Sequence, residues 1–188
     1  MNMNKGIMKK ILIAIVTLLV TAASTYGQDV TTFLGIPIDG SKEEMICKLE
    51  EKGFVREGEH LLGRFYGRDA IVVPQSTNGL LSAIYVLYLR LGRDEAKTLY
   101  NTLFRGFSNS DKYIFDNGDG LLDDNADLRT LVSKENSFVS FFLQKGKSDI
   151  DTYDQLIMLD VSVDLTQQGS YSIGIVYNNL KNQQEDDL

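Results

Sequence analysis

The chain has 188 residues, 43% of them hydrophobic, and its 26 acidic and 19 basic residues leave a formal charge of −7. That length is one domain's worth, and the surplus of carboxylates argues against binding nucleic acid, whose affinity comes from neutralised phosphates, or an anionic membrane. A single cysteine, Cys47, and a single histidine, His60, rule out an intrachain disulfide and a Cys/His structural zinc site.

The chain opens with Lys5, Lys9 and Lys10, then the apolar run 11–20, then the small residues Thr21, Ala22, Ala23, Ser24 and Thr25. This is the order of a secretory signal peptide, and an apolar core of ten residues falls short of the roughly 20 needed to span a bilayer. Residues 1–27 are therefore expected to be a leader cleaved before Gln28, delivering the protein to the periplasm or the exterior with no stable membrane insertion. Without the leader's three lysines the formal charge becomes −10. Residues 28–180 are expected to form a single α+β domain, and 181–188 a disordered acidic tail.

Residues 31–38 read as a short apolar strand that Pro37 confines to an edge or end. Ser41 and Glu44 make a capping box for a helix over about 42–52, with Met45, Ile46 and Leu49 as its apolar stripe and Gly53 past its end. Cys47 lies off that stripe, as a half-buried helix side chain. Strand-like runs follow at 55–59, 61–66, 69–74 and 80–89. Asn78-Gly79 between the last two is a strong hairpin signal. In 80–89 both alternating sets are apolar, so this strand is expected to be central and covered on both faces. A second helix over 93–107 carries Ala96, Leu99, Tyr100, Leu103, Phe104 and Phe107 on one side. A brief strand at 112–115 precedes an acidic, glycine-broken excursion over 116–129. Strands at 137–144, 156–165 and 170–177 complete the chain. The expected fold class is α+β, with tandem helix-plus-antiparallel-meander units (α-β-β-β repeated) sharing one core.

The stretch Phe33-Leu34-Gly35-Ile36-Pro37-Ile38-Asp39-Gly40-Ser41, with Lys52-Gly53-Phe54 closing the first helix, resembles a family of uncharacterised exported proteins of Gram-negative gut anaerobes. The Asp94-Glu95-Ala96 helix start and Tyr177-Asn178-Asn179 look like the same family, so the resemblance covers most of 31–182. It implies export and carries over no site residues. This chain departs from the family in its longer excursion at 116–129. The helix-then-meander order is similar to the β-lactamase-inhibitor-protein fold and to small lipoproteins of outer-membrane assembly, an analogy of fold that transfers no function.

Catalytic patterns are sparse. His60 sits in a turn or hairpin, where it would need Cys47 or a serine brought beside it by folding, and no Gly-x-Ser-x-Gly elbow occurs. The acidic stretch invites a calcium reading, with Asn117, Asp119 and Asp123 on ligand positions if Gly120 takes the sharp turn. Phe115 and Ala126 then occupy the first and the closing ligand positions, so the EF-hand pattern fails. A solvated loop is expected there, with those three residues as candidates for an irregular calcium site. Carboxylate pairs such as Glu43/Glu44 and Asp123/Asp124 follow from the acidic composition. Gly58, Gly63 and Gly67 lie between strands, without the helix start of a phosphate-binding loop. No catalytic residue and no cofactor is expected.

The expected function is a non-catalytic module of the cell envelope that binds a protein partner, a basic one by charge complementarity. It would work through the open face or edge of its sheet, with Phe65, Tyr66 and Tyr153 as exposed aromatic anchors. The alternatives are a carboxylate-dependent hydrolase with calcium at the acidic loop, and an inhibitor of a secreted enzyme.

Overall fold

The computed structural model describes residues 30–132, 137–145 and 155–183. The expected leader, Tyr153 and the last residues of the expected tail lie outside these described residues. The architecture is α+β and mostly β: among the described residues there are an eight-stranded antiparallel sheet, a two-stranded hairpin and three α-helices. Among the described residues no helix is long and apolar enough to cross a membrane.

The expected first strand is a hairpin, β1 (Thr32–Phe33) and β2 (Ile36–Pro37). Leu34 and Gly35 both take positive φ, 51° and 77°, and turn the chain in the two-residue manner that matches strand twist. Leucine is a rare residue for that conformation, which is why the turn is hidden in the sequence. Phe33 and Ile38 are fully buried. Gln144 pins the hairpin, accepting from the Thr32 N–H at 2.7 Å and donating to its Oγ1 at 2.8 Å.

Helix α1 (Lys42–Glu51) starts on the expected box, with Ser41 accepting from the Glu44 N–H and Glu44 accepting from the Ser41 N–H. Met45, Ile46 and Leu49 are buried, whereas Cys47 is exposed rather than half-buried. Replacing Ser41 with Ala is expected to cost about 1 kcal/mol, read as a lower urea midpoint; an unmoved midpoint would show that the box contributes nothing.

After α1 come β3 (Val55–Glu57), β4 (His60–Phe65), β5 (Arg68–Thr77) and β6 (Leu80–Leu91). Asn78 and Gly79 take φ of 51° and 82° at the expected hairpin. Strand β5 continues past Pro74, because pairing with β4 ends at Val72 and no neighbour on that side needs the missing N–H. Helix α2 (Arg93–Ser108) buries all six residues of its expected stripe. Then come β7 (Tyr113–Gly118), the short helix α3 (Leu128–Leu131), β8 (Phe138–Gln144), β9 (Leu156–Val163) and β10 (Tyr171–Asn178). Leu180–Asn182 form a turn of 3-10 helix, and Asn182 donates to the Leu81 carbonyl at 2.9 Å, so the chain is tied down at the start of the expected tail.

The sheet order is β3-β4-β5-β6-β10-β9-β8-β7, placing β6 and β10 side by side at the centre. Helix α1 lies against β5 and β6, and α2 against β7, β9 and β10. One set of alternating strand residues, Val72, Val86, Leu159, Ile175 and Tyr177 among them, joins both helices in a single core. Tyr100 on α2 shares a 2.8 Å hydrogen bond with Ser140 on that face. The acidic excursion is no free loop. Leu122 and Leu128 are buried in the core, and the Asn101 side chain holds both the N–H and the C=O of Leu122 at 2.8 Å.

Candidate functional site

Strand β6 is central, yet it is not covered on both sides: the helices take one face, and Leu87 and Leu89 on the other remain half-buried and Tyr85 exposed. That other face has a regular cross-strand order. Val139, Asp160, Gly174, Leu87, Ile71, Leu62 and Val55 are successive register partners on seven neighbouring strands. A second row runs Phe141, Met158, Val176, Tyr85 and Val73. Side chains in register across antiparallel strands stand about 5 Å apart, so the rows form a continuous apolar platform. Val55 and Tyr85 are exposed, Gly174 and Val176 buried and the rest half-buried. The face therefore stays partly open to solvent, and an apolar face left open is where a binding surface is looked for first.

Asp160 is the one carboxylate in these two rows. Its carboxylate lies over Gly174, where an added Cβ would come within 2.3 Å of Oδ1. The glycine is therefore what lets the acid lie flat against the sheet. Burial among its neighbours pushes the Asp160 carboxyl from the ordinary 3.8 up to about 6, against the smaller opposing pull of a hydrogen bond from Ser162. No lysine, arginine or histidine of the described residues pairs with it. A carboxylate in an apolar field with no cation beside it is ready to accept one from outside.

Beside this acid, the β3–β6 end of the face holds a groove of about 830 Å³, floored by Leu62, Ile71, Leu87 and Leu89. Lys52, Arg64 and Arg90 also line it, against the one acid Asp69, a local excess of positive charge on an acidic protein.

The residues singled out from sequence fall elsewhere. Phe65 is buried, its ring 5.4 Å from Phe33 and 5.0 Å from Tyr66, so it belongs to the core and is not an exposed anchor. Tyr66 is exposed, at φ 48°, but its ring lies against Gly106 on the helix side. Tyr153 is outside the described residues. Asn117 is in β7, paired with Phe141. The Asp119 carboxylate accepts from the Val139 N–H at 2.7 Å, and that of Asp123 from the Asn125 N–H at 2.7 Å. Among the described residues no three His, Cys, Asp or Glu side chains gather as metal ligands. His60 stands 3.9 Å from Glu57 across its hairpin.

Asp160 and Gly174 were missed from sequence, although each left a trace. Asp160 is a lone acid in an apolar strand, and a glycine inside a strand marks close approach of another group. Comparison of the chain with protein-family models, with curated proteins and with solved structures finds no match.

Proposed function

We propose that the protein is a non-catalytic binding module of the cell envelope, and that it takes a folded, basic protein partner on the uncovered face of its sheet. The observation that carries this reading is Asp160, an unpaired acid at the heart of an apolar platform. A partner lysine or arginine reaching Asp160, ringed by apolar contacts that exclude water, has the make-up of an interface hot spot. The backbone groups of β5, β6, β9 and β10 are occupied in the sheet ladder. A partner whose own backbone is already paired therefore suits the face better than an extended strand would.

We also infer that the two halves are a structural tandem. In each, a helix precedes an antiparallel meander, and the last strands of the two meanders adjoin. Export to the periplasm or exterior belongs to the same reading and rests on the leader-like residues 1–27. The hydrolase alternative has less behind it: among the described residues no three His, Cys, Asp or Glu side chains gather as metal ligands, and the hydroxyls beside Asp160, Ser162 and Ser172, have no histidine with them.

The test is affinity capture from envelope extract with the wild type, Tyr85→Lys, and Thr102→Lys on the exposed side of α2. The expected result is a basic protein retained by the wild type and by Thr102→Lys, and lost from Tyr85→Lys, whose new cation faces the incoming one. Equal retention by Tyr85→Lys, or no retained protein at all, would count against the reading.

A further inference from the structure

The groove at the β3–β6 end has a chemistry different from that of the Asp160 platform. Its floor offers four aliphatic side chains and, because β4, β5 and β6 are hydrogen-bonded to their neighbours, no spare backbone donors or acceptors. An extended peptide lying there would leave its amides unpaired, which costs free energy at each one; an alkyl chain has none to pair. A volume of about 830 Å³ is of the size that holds small organic ligands.

The basic residues give this groove a polarity. Neither Lys52 nor Arg90 belongs to an ion pair among the described residues. Arg64 donates to the Gly67 carbonyl, and its Nε lies 3.9 Å from Asp69, a carboxylate almost fully in solvent. Arg90 is the telling residue. It holds φ at 59°, a left-handed conformation uncommon for arginine, and the Asp164 carboxylate clamps its backbone N–H at 2.6 Å. A strained non-glycine residue held this way beside a cavity points to a use for its side chain.

We propose that the groove binds a free amphiphilic monocarboxylate, with its alkyl chain on Leu62, Ile71, Leu87 and Leu89 and its carboxylate on Arg90, flanked by Arg64 and Lys52. Arg90 follows Leu87 by three residues, roughly 10 Å along the strand, so the head group sits at the end of the apolar floor. This inference does not rest on the protein partner, although the groove takes in Leu87, Ile71, Leu62 and Val55, the β3–β6 end of the platform's main row.

The test is a calorimetric titration of the purified protein with decanoate, decanol and decyltrimethylammonium, each below the concentration at which it self-associates. Decanoate is expected to saturate one site, with decanol and the cation at least about tenfold weaker, the loss expected for a charge-assisted contact. Arg90→Gly should weaken decanoate about tenfold while leaving the melting temperature unchanged or higher, because glycine adopts the left-handed conformation freely. Ile71→Asp should abolish binding. Asp160→Asn should not weaken it, which separates this site from the protein-binding face. Equal binding of decanol and decanoate, an unaltered affinity in Arg90→Gly, or no saturable decanoate binding would each overturn the proposal. So would a short peptide with an apolar C-terminal residue that binds where decanoate does not.

Discussion

Asp160→Asn is expected to make the isolated protein more stable at about pH 8 and, on the proposed function, less able to hold the basic partner proposed for it. The carboxyl titrates near 6 in the folded chain against 3.8 as its ordinary value, chiefly through burial. Below 3.8 it is neutral in both states and costs nothing. Between 3.8 and about 6 the folded state keeps a proton that the unfolded state has released, so stability falls as pH rises, and above about 6 the full cost persists. At 1.36 kcal/mol per pKa unit the cost approaches 3 kcal/mol, and partial exposure of the side chain brings the expected gain to about 1–3 kcal/mol. An amide of the same size removes the charge and keeps the contact with Ser162. Urea denaturation at about pH 8 and pH 4 checks this: the gain should be large at the first and close to nothing at the second. A pH-independent difference, or a loss of stability, would show that the burial of Asp160 is misjudged. A chain that keeps a destabilising acid on an apolar face is consistent with stability given up for binding.

The second large effect lies on the opposite side of the molecule. Asn101→Ala is expected to cost about 2–4 kcal/mol, because it leaves both the N–H and the C=O of buried Leu122 without a partner. Leu122 fastens the acidic excursion over α2, so its release should speed amide hydrogen exchange across 119–132 before the sheet opens. The partner capture proposed for the far face should survive at temperatures where the variant is folded. Unchanged exchange in that segment would mean that buried Leu128 and Val132 anchor it unaided.

The parts of this fold that were legible in the sequence are those decided within a few residues. Ser41 with Glu44 announces α1, Asn78-Gly79 announces a hairpin, and the apolar spacing from Ala96 to Phe107 announces α2. Each is a local contest between backbone conformations, which nearby side chains settle. Non-local decisions were not legible. The central pairing of β6 with β10 joins Val86 to Ile175, and nothing in either strand names the other. Alternation in 80–89 marked two apolar faces but could not say that helices would cover only one of them. Phe65 and Tyr66 are adjacent in sequence, and a turn at Tyr66 decides which ring is buried. The anchoring of Leu122 depends on Asn101 reaching from another element. The candidate site is the extreme case: its main row takes one residue from each of seven strands, so no contiguous motif could have revealed it.

A photo-crosslinking amino acid placed at Met158 on the open face, and separately at exposed Lys48 on α1, gives the most direct test of the binding surface. In envelope extract the probe at position 158 should join the protein to one discrete partner, and the probe at 48 should not. Crosslinking from 48 with silence at 158 would place the partner on the helices and contradict the account.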